Sequence, residues 1–435
     1  MTKEHFEQLR FVDSRSLVTR GALVVAALAM VVGACYGARW QLGQALAESF
    51  APNAENSAQT ALIAVALAPG NSFAYSVSAK VQQGRSLVEI LEKARSDEEN
   101  AVRFAPHDYR YWLELGRARE QAGDPVAGET AMRRAVELAP SYAYPRWMLG
   151  NLLLRENKKD EALNEFKRVA ATHTALRQQV FYLVWEISGG DADQIKTLFG
   201  DTAVVRASLA AFYAGKNLPN ESLQMWQSLS DEEKEANQSS GKIALQLNYE
   251  KYNERAAAII ARDLKFEAVE IGQITNGGFE TEIGKSADAI FNWHIDQIKN
   301  MSITLDTRQP RQGKYSLRMA FNGYSEPTLQ TAVQLVAVEP NAHYRLSFAV
   351  KTADLKSGGT PLVEVVDAKA LKTLGASQPF ASGTSEWQNL TFDFIAPSQT
   401  DGVLVRTTRS FCGANCPIVG VIWYDDFKLE RIKEK

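Results

Sequence analysis

The sequence is poor in the residues that most often do chemistry. Three cysteines and five histidines are spread through 435 residues. The histidines (His5, His107, His173, His294 and His343) show no metal-ligand spacing of the HxxxH kind. No GxSxG turn, Walker loop or dinucleotide fingerprint occurs, so the common nucleophile, phosphate and nicotinamide motifs are missing. An excess of positive charge is missing too. With 48 Lys and Arg against 51 Asp and Glu, the net charge of -3 leaves no basic footprint for nucleic acid. What remains is a chain too long for one ordinary core, for which two or three folding units are expected.

Long apolar runs are scarce, and the one that stands out is GALVVAALAMVVGACYGA at residues 21–38, bounded by Arg20 and Arg39. Extended by Leu17 and Val18 it approaches the ~20 residues that cross hydrocarbon. Lys3, Arg10, Arg15 and Arg20 precede it and only Arg39 closely follows. The positive-inside rule then leaves residues 1–20 as a cytoplasmic tail and exports the rest to the periplasm or exterior as a single-pass membrane protein. Two other readings stay open: a cleaved signal peptide, or a lipoprotein in which VGAC makes Cys35 the lipidated residue. All three export the bulk of the chain.

The middle of the chain repeats itself. AVALAPGN, AVRFAPHD and AVELAPSY carry Pro69, Pro106 and Pro140, spaced 37 and then 34 residues apart. The middle unit resembles the tetratricopeptide repeat, with Trp112, Leu115 and Gly116 in the first helix, Gly123 at the turn, and Gly128, Met132, Ala135 and Pro140 in the second part. Adding 34 reaches Leu149, Gly150, Ala162, Phe166 and Val169, the same pattern again. Beyond Gln178 the helical spacing continues without the register, as degenerate repeats and a capping helix. An α-solenoid over residues 41–265 is expected. Its first helices would line a groove for a partner protein with Arg110, Leu113, Arg117, Glu120, Tyr144, Trp147, Asn151 and Arg155. A solvated, internally packed face is the plainer alternative for any one of them.

After Glu267 the apolar period changes to two. KYSLRMAF, TLQTAVQLV, HYRLSFAVK, QNLTFDF, GVLVRTT and VIWYDDFKLE read as strands, and with SITLD and PLVEVV they give eight or nine in all, a β-sandwich jelly roll over residues 272–432. NGGFE at Asn276, FNW ending at Trp293, GKYSLRM at Gly313, VEPNAHYRLSFAVK at Val338, Trp387 with FDF, and WYDDFKLE at Trp423 follow in order. This set resembles the carbohydrate-binding-module jelly rolls of bacterial xylanases and laminarinases, within the galactose-binding-like superfamily. The resemblance implies a structural calcium held by Glu280 and Asp425, or Asp426, with carbonyls near residues 313–316. It also places Trp293, Trp387 and Trp423 at core positions, which leaves Tyr324 and His343 as exposed candidates for glycan contact. FCGANCP brings Cys412 and Cys416 together. No second ligand pair accompanies them to complete a zinc site, so a disulfide is expected after export.

The reading is a multidomain chain, α then β: transmembrane helix, tetratricopeptide solenoid, jelly roll. It is expected to be no enzyme but an exported scaffold, docking a protein through the groove and envelope glycan through the sandwich, by analogy in polysaccharide secretion or assembly. The alternatives are a structural assembly factor whose jelly roll binds protein, and a polysaccharide-active enzyme.

Overall fold

A computed structural model describes residues 16–51, 56–83, 88–281, 283, 289–296, 298–326 and 328–432. Most of the expected cytoplasmic tail, residues 1–15, lies outside the described residues. The chain divides into two compact units, Met1–Val184 and Trp185–Lys435.

The first unit is helical: α1 Leu17–Glu48, α2 Ser57–Leu67, α3 Ser72–Gln83, α4 Val88–Phe104, α5 Tyr109–Gln121, α6 Pro125–Leu138, α7 Ala143–Arg155, α8 Lys159–Thr172, and most of α9 Thr174–Ile187. The expected anchor is the exposed N-terminal part of α1, and the helix does not stop at Arg39. It continues for another two turns in which Gly43 and Ala47 are buried. A Cβ on Gly43 would lie 2.7 Å from that of Ala68, so the small residue lets α1 touch the end of α2. Arg39 donates to the Ala66 carbonyl across the same contact. By length and composition α1 is an apolar helix of the kind that anchors in a membrane or serves as a signal sequence.

The repeat signature describes real packing. A Cβ on Gly116 would meet the Met132 side chain at 2.5 Å, and one on Gly128 would meet the Gly116 carbonyl at 2.9 Å, so α5 and α6 approach nearly backbone to backbone. One repeat later Gly150 of α7 accepts the Phe166 ring of α8, 2.7 Å from where its Cβ would be.

The helical corners share one backbone device. Gly123, Asn157, Gly189, Asn217 and Tyr252 all have φ between 60° and 87°, the left-handed region. At each corner an amide folds back onto a carbonyl five residues earlier: Asp124 to Arg119, Lys158 to Leu153, Gly190 to Trp185, Leu218 to Tyr213 and Asn253 to Asn248, at 2.8 to 2.9 Å. This is the Schellman closure that satisfies a helix's last carbonyls. It persists through α10 Ala192–Phe199, α11 Ala203–Gly215, α12 Pro219–Gln227, α13 Asp231–Ala236, α14 Gln238–Glu250 and α15 Glu254–Asp263, where the side-chain signature fades.

The second unit continues into ten strands among the described residues: β1 His294–Ile295, β2 Met301–Asp306, β3 Ser316–Tyr324, β4 Ala332–Ala337, β5 His343–Ser357, β6 Pro361–Asp367, β7 Thr373–Ala376, β8 Gly383–Ile395, β9 Gly402–Arg409 and β10 Ile418–Arg431. They form two five-stranded antiparallel sheets, ordered β1-β4-β9-β6-β7 and β2-β3-β10-β5-β8. Alternate residues such as Val363, Val365, Val403, Val405, Leu346, Phe348, Ile422 and Tyr424 fill the space between them. This is the expected jelly-roll sandwich.

Candidate functional site

The NGGFE motif at Asn276 marks where the two ends of the sandwich meet. Phe427 of β10 donates its amide to the Gly277 carbonyl at 2.9 Å. Phe279 is fully buried among Trp293 and Phe427, and the Trp293 indole donates to the Asn276 carbonyl. The NGGFE segment is thus a hinge pin, bound by backbone on one side and aromatic packing on the other.

This meeting point carries the expected calcium ligands. Glu280 accepts the amides of Lys314 and Tyr315 at 2.9 to 3.1 Å. Asp425, completely buried, accepts those of Arg311 and Gln312 through Oδ2 and that of Asp426 through Oδ1. Burial holds the Asp425 carboxyl above its ordinary pKa, and the Asp426 charge adds to the effect. A Cβ on Gly278 would be 3.7 Å from Asp425 Oδ1 and 3.7 Å from Glu280 Cγ, so both carboxylates flank one glycine. Asp426 points elsewhere, paired to the Arg311 guanidinium at 2.6 Å. The chemistry of the set therefore fits a hard cation through Glu280 and Asp425, each retaining lone pairs, and not through Asp426. No group of three or more His, Cys, Asp or Glu among the described residues is placed to hold a metal ion, so backbone oxygens would have to complete the shell.

The residues expected to contact glycan fare differently. Tyr324 is not exposed: β3 runs through it, its ring joins the sandwich core, and its hydroxyl donates to the Thr328 carbonyl. His343 is half-buried at the start of β5, 3.9 Å from the Asp393 carboxylate that also pairs with Arg345. Of the three tryptophans expected in the core, only Trp293 lies between the sheets. Trp387 is half-buried on the edge strand β8. Trp423 alternates with core residues Ile422 and Tyr424 and so faces away from the core, its ring covered by the Arg318 guanidinium at 6.0 Å and its N–H bound to Asp306.

Sequence reasoning missed a polar row on the outer face of the first sheet. Strand register aligns His294, Val333, Arg406, Glu364 and Ala376 across β1, β4, β9, β6 and β7. Arg406 donates to Glu364 Oε1 at 2.8 Å, and Thr373 to Oε2 at 3.0 Å. The ion pair is recessed, with 16% and 12% of the two side chains exposed. The signal was present in PLVEVV and GVLVRTT: one charged residue at an alternate position of an otherwise apolar strand must face away from the core. A separate cleft of about 600 Å³ lies beside Ile271, Gln273, Tyr344, Lys428 and Arg431 and contains none of the expected site residues.

In the helical unit the groove residues are largely engaged with their own chain. Arg110 grips Asp108, Arg117 pairs with Glu114, and Arg155 of α7 pairs with Glu120 of α5, stapling successive first helices. Asn151 donates to the Trp147 carbonyl, and the Trp147 ring packs on Phe166 at 5.4 Å. Leu113 is buried, not groove-lining. Tyr144 stands out, half its surface in solvent.

Cys412 and Cys416 are joined as expected. Cys35 is free and exposed on α1.

A family described as "Carbohydrate binding domain" matches residues 272–409. Among solved structures, MamA (41-end) from Desulfovibrio magneticus RS-1 is similar over 32% of this chain and 75% of its own, at 23% identity and a TM-score of 0.27. A module described as "CBM4 structure and function" covers 37% of this chain and 99% of its own, at 16% identity and a TM-score of 0.27. The CBM22-1 xylan-binding domain of Paenibacillus barcinonensis Xyn10C covers 39% and 99%, at 18% identity and a TM-score of 0.25. No curated protein matches the chain. The pairing of a carbohydrate-binding type of sandwich with a repeat-like helical array is that of a binding or scaffold protein.

Proposed function

We propose that this chain is a non-catalytic, membrane-tethered adaptor of a cell envelope, contacting glycan through the outer face of the β1-β4-β9-β6-β7 sheet and a partner protein through its helical array. Polysaccharide secretion or assembly is the setting this pairing suits. The observation that carries the glycan reading is the recessed Glu364–Arg406 pair, with Thr373 bonded to Glu364 from β7 and His294 farther along the same cross-strand row beyond Val333. Planar, hydrogen-bonding side chains fixed by each other on a sheet face are suited to vicinal sugar hydroxyls. The charge asymmetry around α1 supports export to the periplasm or exterior, and a structural calcium between Glu280 and Asp425 would clamp the ends of the sandwich.

The test is a glycan array probed with the full chain in detergent, beside Glu364→Gln and Arg406→Gln. Binding to one class of polymer that falls at least tenfold in both variants supports the reading. Binding unaffected by either variant sinks this face as the site.

One observation favours the alternative of a protein-contact module. Among the described residues of the sandwich no Trp or Tyr is strongly exposed and the exposed ring is Phe411, so a Trp or Tyr platform of the kind on which pyranose rings usually stack is lacking. Absence of signal on the array, with a protein captured on the same face by site-specific crosslinking at Arg406, would decide for it.

A further inference from the structure

Arg409 ends β9 with its side chain inside the protein, and only 5% of the residue is exposed. Its guanidinium donates to the Gly359 carbonyl at 3.0 and 3.2 Å, the Ser357 hydroxyl at 2.7 Å and the Glu326 carbonyl at 3.1 Å. Every one of these acceptors is neutral. No carboxylate pairs with Arg409 among the described residues, which is an unusual state for a buried cation, since such charges are normally matched by an anion. The fifth contact is a sulfur: Nη2 lies 2.9 Å from Cys416 Sγ and 3.9 Å from Cys412 Sγ.

A disulfide sulfur is a weak acceptor and offers the cation little. A thiolate at the same place would supply the missing negative charge through a short, charge-assisted hydrogen bond. The two sulfurs also differ in access. Cys416 is 2% exposed and its amide is tied to the Ser325 carbonyl, whereas Cys412 is partly open beside the exposed Phe411. An incoming nucleophile therefore reaches Cys412, and the leaving sulfur is the one Arg409 stabilises.

We propose that Cys412–Cys416 is an exchangeable disulfide, a thiol-modification site at which a dithiol reductant attacks Cys412 and expels Cys416 as a thiolate held by Arg409. In the first step one reductant thiolate forms a bond to Cys412 Sγ while the Cys412–Cys416 bond breaks, and its electron pair leaves on Cys416. In the second the other reductant sulfur, deprotonated, closes onto the first, releasing Cys412 as a thiolate that takes a proton from water. The dithiol is oxidised by two electrons and the protein disulfide reduced by two. The step frees the segment that carries Phe411 from its covalent loop while Cys416 stays bound at Ser325 and Arg409.

The test uses the full chain with Cys35→Ser. In a Cys412→Ser background, ultraviolet thiolate absorbance is followed against pH for the remaining Cys416. The expected midpoint lies at least one pH unit below the ordinary thiol value of about 8.5. Arg409→Gln should move it up by a unit or more and, at a pH above both midpoints, make the disulfide harder to reduce in a glutathione titration by about tenfold per unit of that shift. Arg409→Lys keeps the charge and guards against a variant that fails to fold, so the low midpoint should survive in it. A midpoint at or above the ordinary value with Arg409 intact overturns the proposal, because burial alone raises a thiol pKa. Mass mapping of the mixed disulfide formed with a monothiol should place it on Cys412; adduct on Cys416 overturns the direction of attack.

Discussion

Gly277 and Phe427 meet backbone to backbone. The Phe427 amide bonds the Gly277 carbonyl at 2.9 Å, and a Cβ on Gly277 would sit 2.0 Å from the Phe427 carbonyl oxygen. Any side chain must push the first and last segments of the sandwich apart. Gly277→Ala should cost roughly 2–3 kcal/mol, the range for an overpacked contact. For a unit of this size that lowers Tm by about 5–10 °C. Gly278→Ala, whose added carbon meets nothing closer than 3.7 Å, is the control. Equal losses in the two variants would mean that this contact is not what closes the sandwich.

Calcium should raise the melting temperature of the full chain relative to chelator, and Asp425→Asn should remove most of that rise. Asp426→Asn should leave the calcium response in place and cost only the Arg311 pair, on the order of 1 kcal/mol for a mostly covered bridge. Differential scanning calorimetry with calcium and with EGTA reads both. An Asp425→Asn protein that responds to calcium as wild type does would move the cation away from this site.

Glu254 begins α15 with 2% exposure, packed on Gly402, and burial pushes its carboxyl up to about 7. A carboxyl raised in the folded state binds more protons folded than unfolded between about 4.5 and about 7, so stability falls as pH rises through that window. Asp401, whose Oδ2 accepts the Arg255 amide, and Glu267, whose carboxylate accepts the Ile290 and Phe291 amides, are shifted upward by burial as well and act in the same sense. The expected contribution of Glu254 is at most about 3 kcal/mol. Glu254→Gln should therefore be the more stable protein at pH 8 and lose its advantage by pH 5. Amide exchange in α15 localises the effect, and a flat wild-type profile there would refute it.

Asn157 occupies with φ 61° the corner position that Gly123 fills one repeat earlier at 87°. Asn157→Gly should be neutral or stabilising by up to about 1 kcal/mol, whereas Asn157→Val should cost about 1–2 kcal/mol because a branched Cβ collides in the left-handed region. Urea unfolding of the two variants checks the sign. A stabilised Val variant would mean that the corner has another conformation in solution.

These corners also explain what could be read from the sequence and what could not. The repeat was visible at Gly116, Gly128, Gly150 and Phe166 because each does local steric work at a fixed spacing. Past Val184 the same corner is built on Gly189, Asn217 and Tyr252, three residue types with nothing in common except a tolerated backbone sign, and no side-chain pattern survives. In the sandwich the strands and the closure at Asn276 were legible from period and order. Which face a strand residue occupies was harder. Tyr324 is expected to be exposed, yet β3 reaches it and its ring joins the core. The resemblance places Trp423 in the core, yet it faces outward under Arg318. The Glu364–Arg406 pair joins residues 42 apart in sequence, and only strand register brings them together.

The uninterrupted run of α1 has a mechanical meaning. Thirty-two residues of helix reach about 48 Å. Its exposed apolar part and the part packed on α2 belong to one stiff rod, pinned by Gly43 against Ala68 and by Arg39 on Ala66. A bilayer that gripped the first part would not hold the repeats on a slack leash. It would set their tilt and their height above the bilayer, so that every copy in one membrane carries its array at the same inclination.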